Sequence, residues 1–536
     1  QGRRRRHPQV VSEKRYIQVI LPLRLEWEPC YCLDGADTSV RVQIGDRVRV
    51  VFARRSYVGV VSAVDVQPDI APERIAQVQE LLPQLPAVTA REIEFWRFIA
   101  GYYLCTIGEV YKASAAGKPQ SQVKRPRLKL PEFIAKPDVD PELSAPAAAL
   151  SKDKPVLYKA GGRVEEYLSL ATGCLAGSRG VLLLVPDKDS AKVLVERFSS
   201  YFGEALVEYW SDVTPARRRL AADRVRSGEP YVLLGTRSSL LLPFESLGLI
   251  IVDEEQSPFY KSDSAPRFNA RDAAVKLAAI HGVPAVLGSE APSLESEYNV
   301  AAGKYRLYSE PIELKQPLLI DISAEKRKRG MAGCISRMLA AECKKGSVAL
   351  LRGYETAEEV AASVEQLFPG DAGRFSVFSL SEAARSDLSA YSTVALLNAD
   401  ALFRPDDFRS DERAFQFIAE LVSRCSCVII QTRTPGHQVF SLKDTTALLA
   451  ERKAFSLPPY TRLVDINLHK GKSERDAVGL SRSLRRAGFN ASDALSHFDG
   501  GLFVRVTLPR DRTLAAKKQT LSQMAEGIGT PDVDPA

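Results

Sequence analysis

Between residues 16 and 66 apolar and polar positions alternate in short runs broken by turn residues: Val40-Arg41-Val42-Gln43-Ile44, then Gly45-Asp46, then Arg47-Val48-Arg49-Val50-Val51-Phe52. A period of two predicts a small antiparallel sheet. At 89–104 the period changes: Ile93, Trp96, Ile99, Ala100 and Tyr103 fall at helical spacing and predict a helix packed on that sheet. From 118 to 155 no period persists. Pro, Lys and Ala dominate there, as in Lys124-Arg125-Pro126-Arg127, and the stretch reads as a linker or a reduced domain. From Lys154 to about Leu314, near-continuous apolar runs at 181–185, 231–234, 249–252 and 285–287 alternate with amphipathic segments. Strands apolar on both faces belong to parallel sheets covered by helices. Residues 346–465 repeat this texture at 347–351, 393–397 and 428–430, and the strand candidates 463–468 and 502–508 mark a further α+β piece. The fold class is α/β. The divisions read as a basic tail at 1–15, a small β-rich domain at 16–117, the linker at 118–155, two parallel-sheet lobes at 156–314 and 315–460, and an α+β domain at 461–536.

The chain has 536 residues, 45% of them hydrophobic and 26% charged, which supplies several buried cores and excludes wholesale disorder. Lys and Arg number 73 against 66 Asp and Glu, so the formal charge is +7, modest for a chain this long. No apolar run reaches the ~18–20 residues of a membrane-spanning helix, and Arg3-Arg4-Arg5-Arg6 is not followed by the apolar stretch of a signal peptide; the expected compartment is the cytoplasm. The eight cysteines include no C-x-x-C pair. Zinc and other metal sites are therefore not expected, and the pairs Cys30/Cys32 and Cys425/Cys427 read as small buried apolar residues. The five histidines are scattered.

Chemistry enters where the run at 249–252 meets Asp253-Glu254-Glu255. Acidic residues at the C-terminal end of a buried parallel strand lie where open α/β sheets bind ligands; there one carboxylate can hold Mg²⁺ and the next can polarise water. An acidic helix start is the plainer alternative.

The neighbouring segments decide between them. Gly235-Thr236-Arg237-Ser238-Ser239 follows one strand, Phe259-Tyr260-Lys261 to Arg267-Phe268-Asn269-Ala270-Arg271-Asp272 follows the acidic triplet, and Gly288-Ser289-Glu290-Ala291-Pro292-Ser293-Leu294-Glu295 follows another strand. In this order they resemble the first motor lobe of the PriA family of primosomal helicases, superfamily-two DNA helicases of replication restart. Gly45 to Val50, Val58 to Val61 and Tyr102 to Val110 resemble that family's N-terminal DNA-binding domain. Leu397 to Asp400 with Glu412 to Gln416 resemble its second lobe, and Leu457 to Tyr460 the entry to its C-terminal domain. The resemblance implies two tandem RecA-like lobes, ATP and Mg²⁺, forked or single-stranded DNA, and single-strand-binding and other primosome proteins as partners. It assigns Asp253 and Glu254 to a vestigial catalytic pair and Gly161, Gly162, Arg163, Gly288 and Ser289 to a nucleotide site. Arg47, Arg49, Arg54 and Arg55 lie on or beside strands with Trp27, Tyr31 and Tyr57 nearby, cations for phosphate and aromatic faces for unpaired bases, a solvated basic face being the plainer alternative. To DNA the resemblance adds the 3′-end role of Tyr31 and the lobe residues Arg237, Ser238, Phe259, Tyr260, Lys261, Arg267 and Arg271.

The departures fall on the ATPase. A phosphate loop needs G-x-x-x-x-G-K-[ST], and the aligned segment here is Leu157 to Val164, with Arg163 for the lysine and no hydroxyl at Val164. Guanidinium keeps the charge but does not replace a compact ammonium in a tight loop. Gln256 stands for the family's histidine and Glu290 for its threonine; Arg424 is the one arginine-finger candidate, the zinc insertion is absent, and 118–155 is too short for the family's full winged-helix domain, reading as a linker or a reduced form of it. Pro29-Cys30-Tyr31 retains only the tyrosine of the family's 3′-end pocket. The expectation is a DNA-binding restart protein whose ATP-driven unwinding is lost or weakened; the alternatives are an active 3′-to-5′ helicase and a docking scaffold.

Overall fold

A computed structural model describes residues 15–33, 41–118, 150–210, 212–312, 315–404, 407–497 and 499–535. Arg3–Arg6, the Lys124–Arg127 cluster and most of the 118–155 linker lie outside the described residues. The N-terminal part is a five-stranded antiparallel sheet ordered Cys30–Cys32, Tyr16–Ile20, Arg55–Val64, Arg47–Phe52, Glu80–Leu81. Residues 41–45 form a loop and turn rather than the expected strand, because Asp46 accepts from the Gln43 amide and Gly45 turns at φ +96°. Two helices follow, Ala90–Tyr103 and Ile107–Ala113. Each opens with a capping box, Thr89 with Glu92 and Thr106 with Glu109, in which side chains satisfy otherwise orphaned amides. The expected face of the first is buried at Ile93, Trp96, Ile99 and Tyr103.

The first lobe is a seven-stranded, all-parallel sheet: Arg306–Ser309, Val156–Lys159, Ala285–Ser289, Leu247–Val252, Gly180–Leu184, Val232–Gly235, Leu206–Tyr209. The apolar runs read from the sequence are its central strands, buried on both faces. The second lobe is a five-stranded parallel sheet: Leu318–Asp321, Val428–Thr432, Thr393–Leu396, Val348–Arg352, Phe375–Ser379. The last part is antiparallel, ordered Asn490–Ser496, Leu502–Pro509, Thr461–Leu468, Gly529–Val533, with helices Glu474–Arg486 and Leu514–Ala525; its chain order is the β-α-β-β-α-β of ferredoxin-like domains.

One core runs through three of these parts. Trp96 and Tyr103 of the N-terminal helices join Leu240 and Phe268 of the first lobe and Val464 and Leu521 of the C-terminal domain in a single apolar cluster. The N-terminal domain is thus packed onto the first lobe and the C-terminal domain, and the loop 259–272 lies at that junction.

Candidate functional site

The strand Val156–Lys159 ends in Ala160-Gly161-Gly162-Arg163, and the helix Val164–Ala176 begins at once. Gly162 turns at φ +59°, a left-handed conformation that a side chain disfavours. The turn directs Arg163 inward, where only 6% of it stays exposed. Its Nε donates to Asp253 Oδ1 at 2.8 Å and its Nη1 to the Ala160 carbonyl at 2.7 Å. One helical turn on, the fully buried Tyr167 hydroxyl donates to the same Asp253 oxygen at 2.8 Å. Gly288 makes room for this triad: a Cβ there would stand 1.7 Å from the Tyr167 hydroxyl.

The second lobe closes on the same point. Glu290 lies 3.6 Å from Arg163 Nη1, accepts from Arg424 Nε at 3.0 Å and accepts from Ser423 Oγ at 2.6 Å. Arg424 also stands 3.6 Å from Glu254, and the Gln256 amide, itself held by Ser289 Oγ at 2.6 Å, donates to Glu420. Glu254 has φ +48°, and burial beside Asp253 and Glu420 pushes its carboxyl up to about 8, with Arg424 opposing. Glu255 is a strut: it accepts from the Ser293 amide and hydroxyl and the Ser296 hydroxyl at 2.7–2.8 Å. Farther along the interface Glu412 accepts from the Leu294 amide at 3.0 Å, while Arg409 holds Glu295 at 2.9 Å and keeps its carboxyl far below the usual range. Beside the turn an open cleft of about 970 Å³ is lined by Gly161, Gly162, Asp189, Lys192, Lys315 and Arg385 among others.

The residues assigned to DNA divide sharply. Arg54 sits in an exposed turn of the N-terminal sheet, with Ala53 and Arg54 both at positive φ, and the exposed Arg55 opens the strand that follows. Arg49 pairs with Glu80 at the surface. Arg47 is buried, donating to the Tyr111 hydroxyl at 2.8 Å and the Ala116 carbonyl at 2.9 Å, so its guanidinium fastens the helices to the sheet. Tyr31 is 2% exposed; its hydroxyl donates to the Val51 carbonyl, and burial raises it to about 12. It borders a hollow of about 330 Å³ together with Trp27, Cys30, Phe52 and Arg74.

Loop 259–272 is largely turned inward. The Tyr260 hydroxyl contacts the Leu184 and Asp253 carbonyls, and Arg271 is buried against Asp272, Glu255 and Ser293. Lys261 is buried on the last strand, donating to the Val533 carbonyl at 2.6 Å and standing 2.7 Å from Asp532, to which Arg267 also reaches at 3.3 Å. Arg237 braces the loop through the Phe259 and Lys261 carbonyls. Phe259 stays partly exposed beneath the Arg385 guanidinium of the second lobe, and the Ser238 hydroxyl is buried. Sequence reasoning missed Tyr167, Asp532 and Asp534, the last of which pairs with Arg462 of the strand Thr461–Leu468. Tyr167 had a signal, its i+4 spacing from Arg163; the two aspartates had none. Among the described residues no three His, Cys, Asp or Glu side chains gather as metal ligands, and no helix is long and apolar enough to cross a membrane.

With this geometry in view, residues 18–115 match the family described as the PriA 3′ DNA-binding domain (3′BD). The chain is similar to the replication restart protein PriA of Rickettsia felis, 30% identical over 301 residues, 54% of this chain and 46% of that one. It is likewise similar to that of Rickettsia prowazekii, 29% identical over 326 residues, 58% of this chain and 49% of the relative. The chain spans about half the length of the curated relatives it matches. Among solved structures it is similar to RecG bound to a three-way DNA junction, at 14% identity and a TM-score of 0.34, over 56% of this chain and 43% of that one.

Proposed function

We propose that this chain, a relative of the PriA replication restart proteins that carries their 3′ DNA-binding domain, binds single-stranded or forked DNA in the cytoplasm while its motor cleft has lost most or all ATP turnover. The observation that carries the second half is Arg163. In a phosphate loop the lysine meets phosphate and the strand-end aspartate meets the Mg²⁺ shell. Here the cation and Asp253 meet each other at 2.8 Å, Tyr167 occupies the same oxygen, and Glu290 adds negative charge where a triphosphate would need the opposite. Residues 160–164, Asp253 and Glu290 therefore do not fit Mg·ATP.

The DNA half rests on the matched domain, the exposed pair Arg54 and Arg55, and the hollow beside Tyr31 and Trp27. Cations meet phosphate and aromatic faces stack on unpaired bases. The active-helicase reading has one observation in its favour, the open cleft of about 970 Å³ beside Gly161 and Gly162. Two titrations test the proposal. Labelled single-stranded DNA should bind with an affinity that falls as salt rises. Millimolar Mg·ATP should leave the melting temperature unmoved, since a ligand that does not bind the folded state cannot raise it. A rise with Mg·ATP contradicts the cleft's part of the proposal, and salt-insensitive or absent DNA binding contradicts the other.

A further inference from the structure

Trp27 stands on a ridge shared by two hollows. One is the hollow beside Tyr31; the other, of about 600 Å³, lies where the N-terminal domain, the loop 259–272 and the C-terminal domain meet. The larger is walled by Arg24 and Tyr103, by Ala265 and Arg267, and by Gln519 and Gln523 of the helix Leu514–Ala525. Of the three tryptophans, Trp96 and Trp210 are 1% and 5% exposed whereas Trp27 is 62% exposed. A large aromatic left in water on a ridge between two concave surfaces is placed to be covered by a ligand crossing from one to the other.

The geometry points to the larger hollow as a second nucleotide subsite. A single DNA strand whose end lies in the smaller hollow crosses the indole of Trp27, stacks on it and sets its next bases between Leu104, Gln519 and Gln523. This inference rests on the DNA-binding reading above. Three features give the subsite its character. The volume lies within the range of built ligand pockets. Its two arginines, Arg24 and Arg267, stand beside the carboxylates of Glu26, Glu109 and Glu526, so phosphate is met only at the arginines and the rest of the lining favours bases. Of Arg267's five donors the ion pair to Asp532, 3.3 Å long, engages one, leaving others for a phosphate. It also joins two segments far apart in sequence, the matched domain and the loop 259–272, on one surface.

The test uses the full chain, 5′-labelled oligothymidylates of increasing length with free 3′ ends read by anisotropy, and tryptophan emission with the unlabelled strands. Because the other two tryptophans are buried, emission changes report Trp27. Strands long enough to reach across the ridge should quench it. Trp27→Ala should weaken them about tenfold, the worth of one stacked base, and Trp27→Phe should retain most of the affinity while abolishing the quench. If the strands bind but emission is unchanged and Trp27→Ala stays within about twofold, the subsite is overturned and DNA binding stands. If no strand binds, both fall together.

Discussion

Arg163 shows how one residue changes what a loop can do. Burial opposes a charged guanidinium, yet Asp253 and Glu290 outweigh that penalty and hold it firmly protonated. Removing it takes the counter-charge from the half-buried Asp253, while Glu290 keeps Arg424, so Arg163→Ala should lower unfolding free energy by about 3 kcal/mol in a urea titration. A loss below about 1 kcal/mol would mean that water already screens the site. Glu254 gives a pH signature. Its folded value of about 8 lies above its unfolded value, so between those values the folded state holds more protons and stability falls as pH rises. Glu254→Gln, which removes the charge from among Asp253, Glu420, Arg424 and Arg163, should flatten that decline and raise the melting temperature at pH 8. An unchanged slope would assign the decline elsewhere. The sequence made Arg163 and Glu290 legible as departures, since each breaks a motif with a stated chemistry. That the two, with Arg424, meet in one network was not legible, because pairing across lobes leaves no local pattern.

At the scale of elements, the strand Ala285–Ser289 and the helix Val164–Ala176 are fitted to each other through Gly288 and Tyr167. Gly288→Ala places a methyl 1.7 Å from the hydroxyl and should destabilise by about 1–3 kcal/mol. Adding Tyr167→Phe should recover part of that loss, which a thermal melt of both variants checks; no recovery would locate the clash elsewhere. The parallel strands were readable because burial on both faces leaves continuous apolar runs, and the helix 90–103 because its caps and period agree. The docking of loop 259–272 was not. Its basic and aromatic residues look like a nucleic-acid surface until Asp532 of the strand Gly529–Val533 supplies the partner for Lys261 and Arg267. Asp532→Ala should leave Lys261 buried without its counter-charge, costing about 3 kcal/mol, and should speed proteolytic cleavage near Lys261 and Arg267. Unchanged cleavage would show that the strand's carbonyls suffice to hold the loop.

Across the whole molecule, one apolar core unites the N-terminal domain, the first lobe and the C-terminal domain, while the second lobe has two further cores, one of which takes in Leu294 of the first lobe, and also meets that lobe through Arg424–Glu290, Arg409–Glu295 and Glu412 at the Leu294 amide. A motor of two parallel-sheet lobes cycles by opening and closing about a nucleotide. In this chain the Arg424–Glu290 pair joins the lobes beside the Arg163–Asp253 pair, and on the proposed reading the body presents DNA-binding surfaces in a fixed arrangement. The measurement that bears on this most directly is phosphate release from Mg·ATP with saturating single-stranded DNA, run beside an Asp253→Asn variant and with DNA occupancy followed in the same samples. The account predicts bound DNA and identical background release from both proteins. DNA-stimulated release that Asp253→Asn abolishes would contradict it.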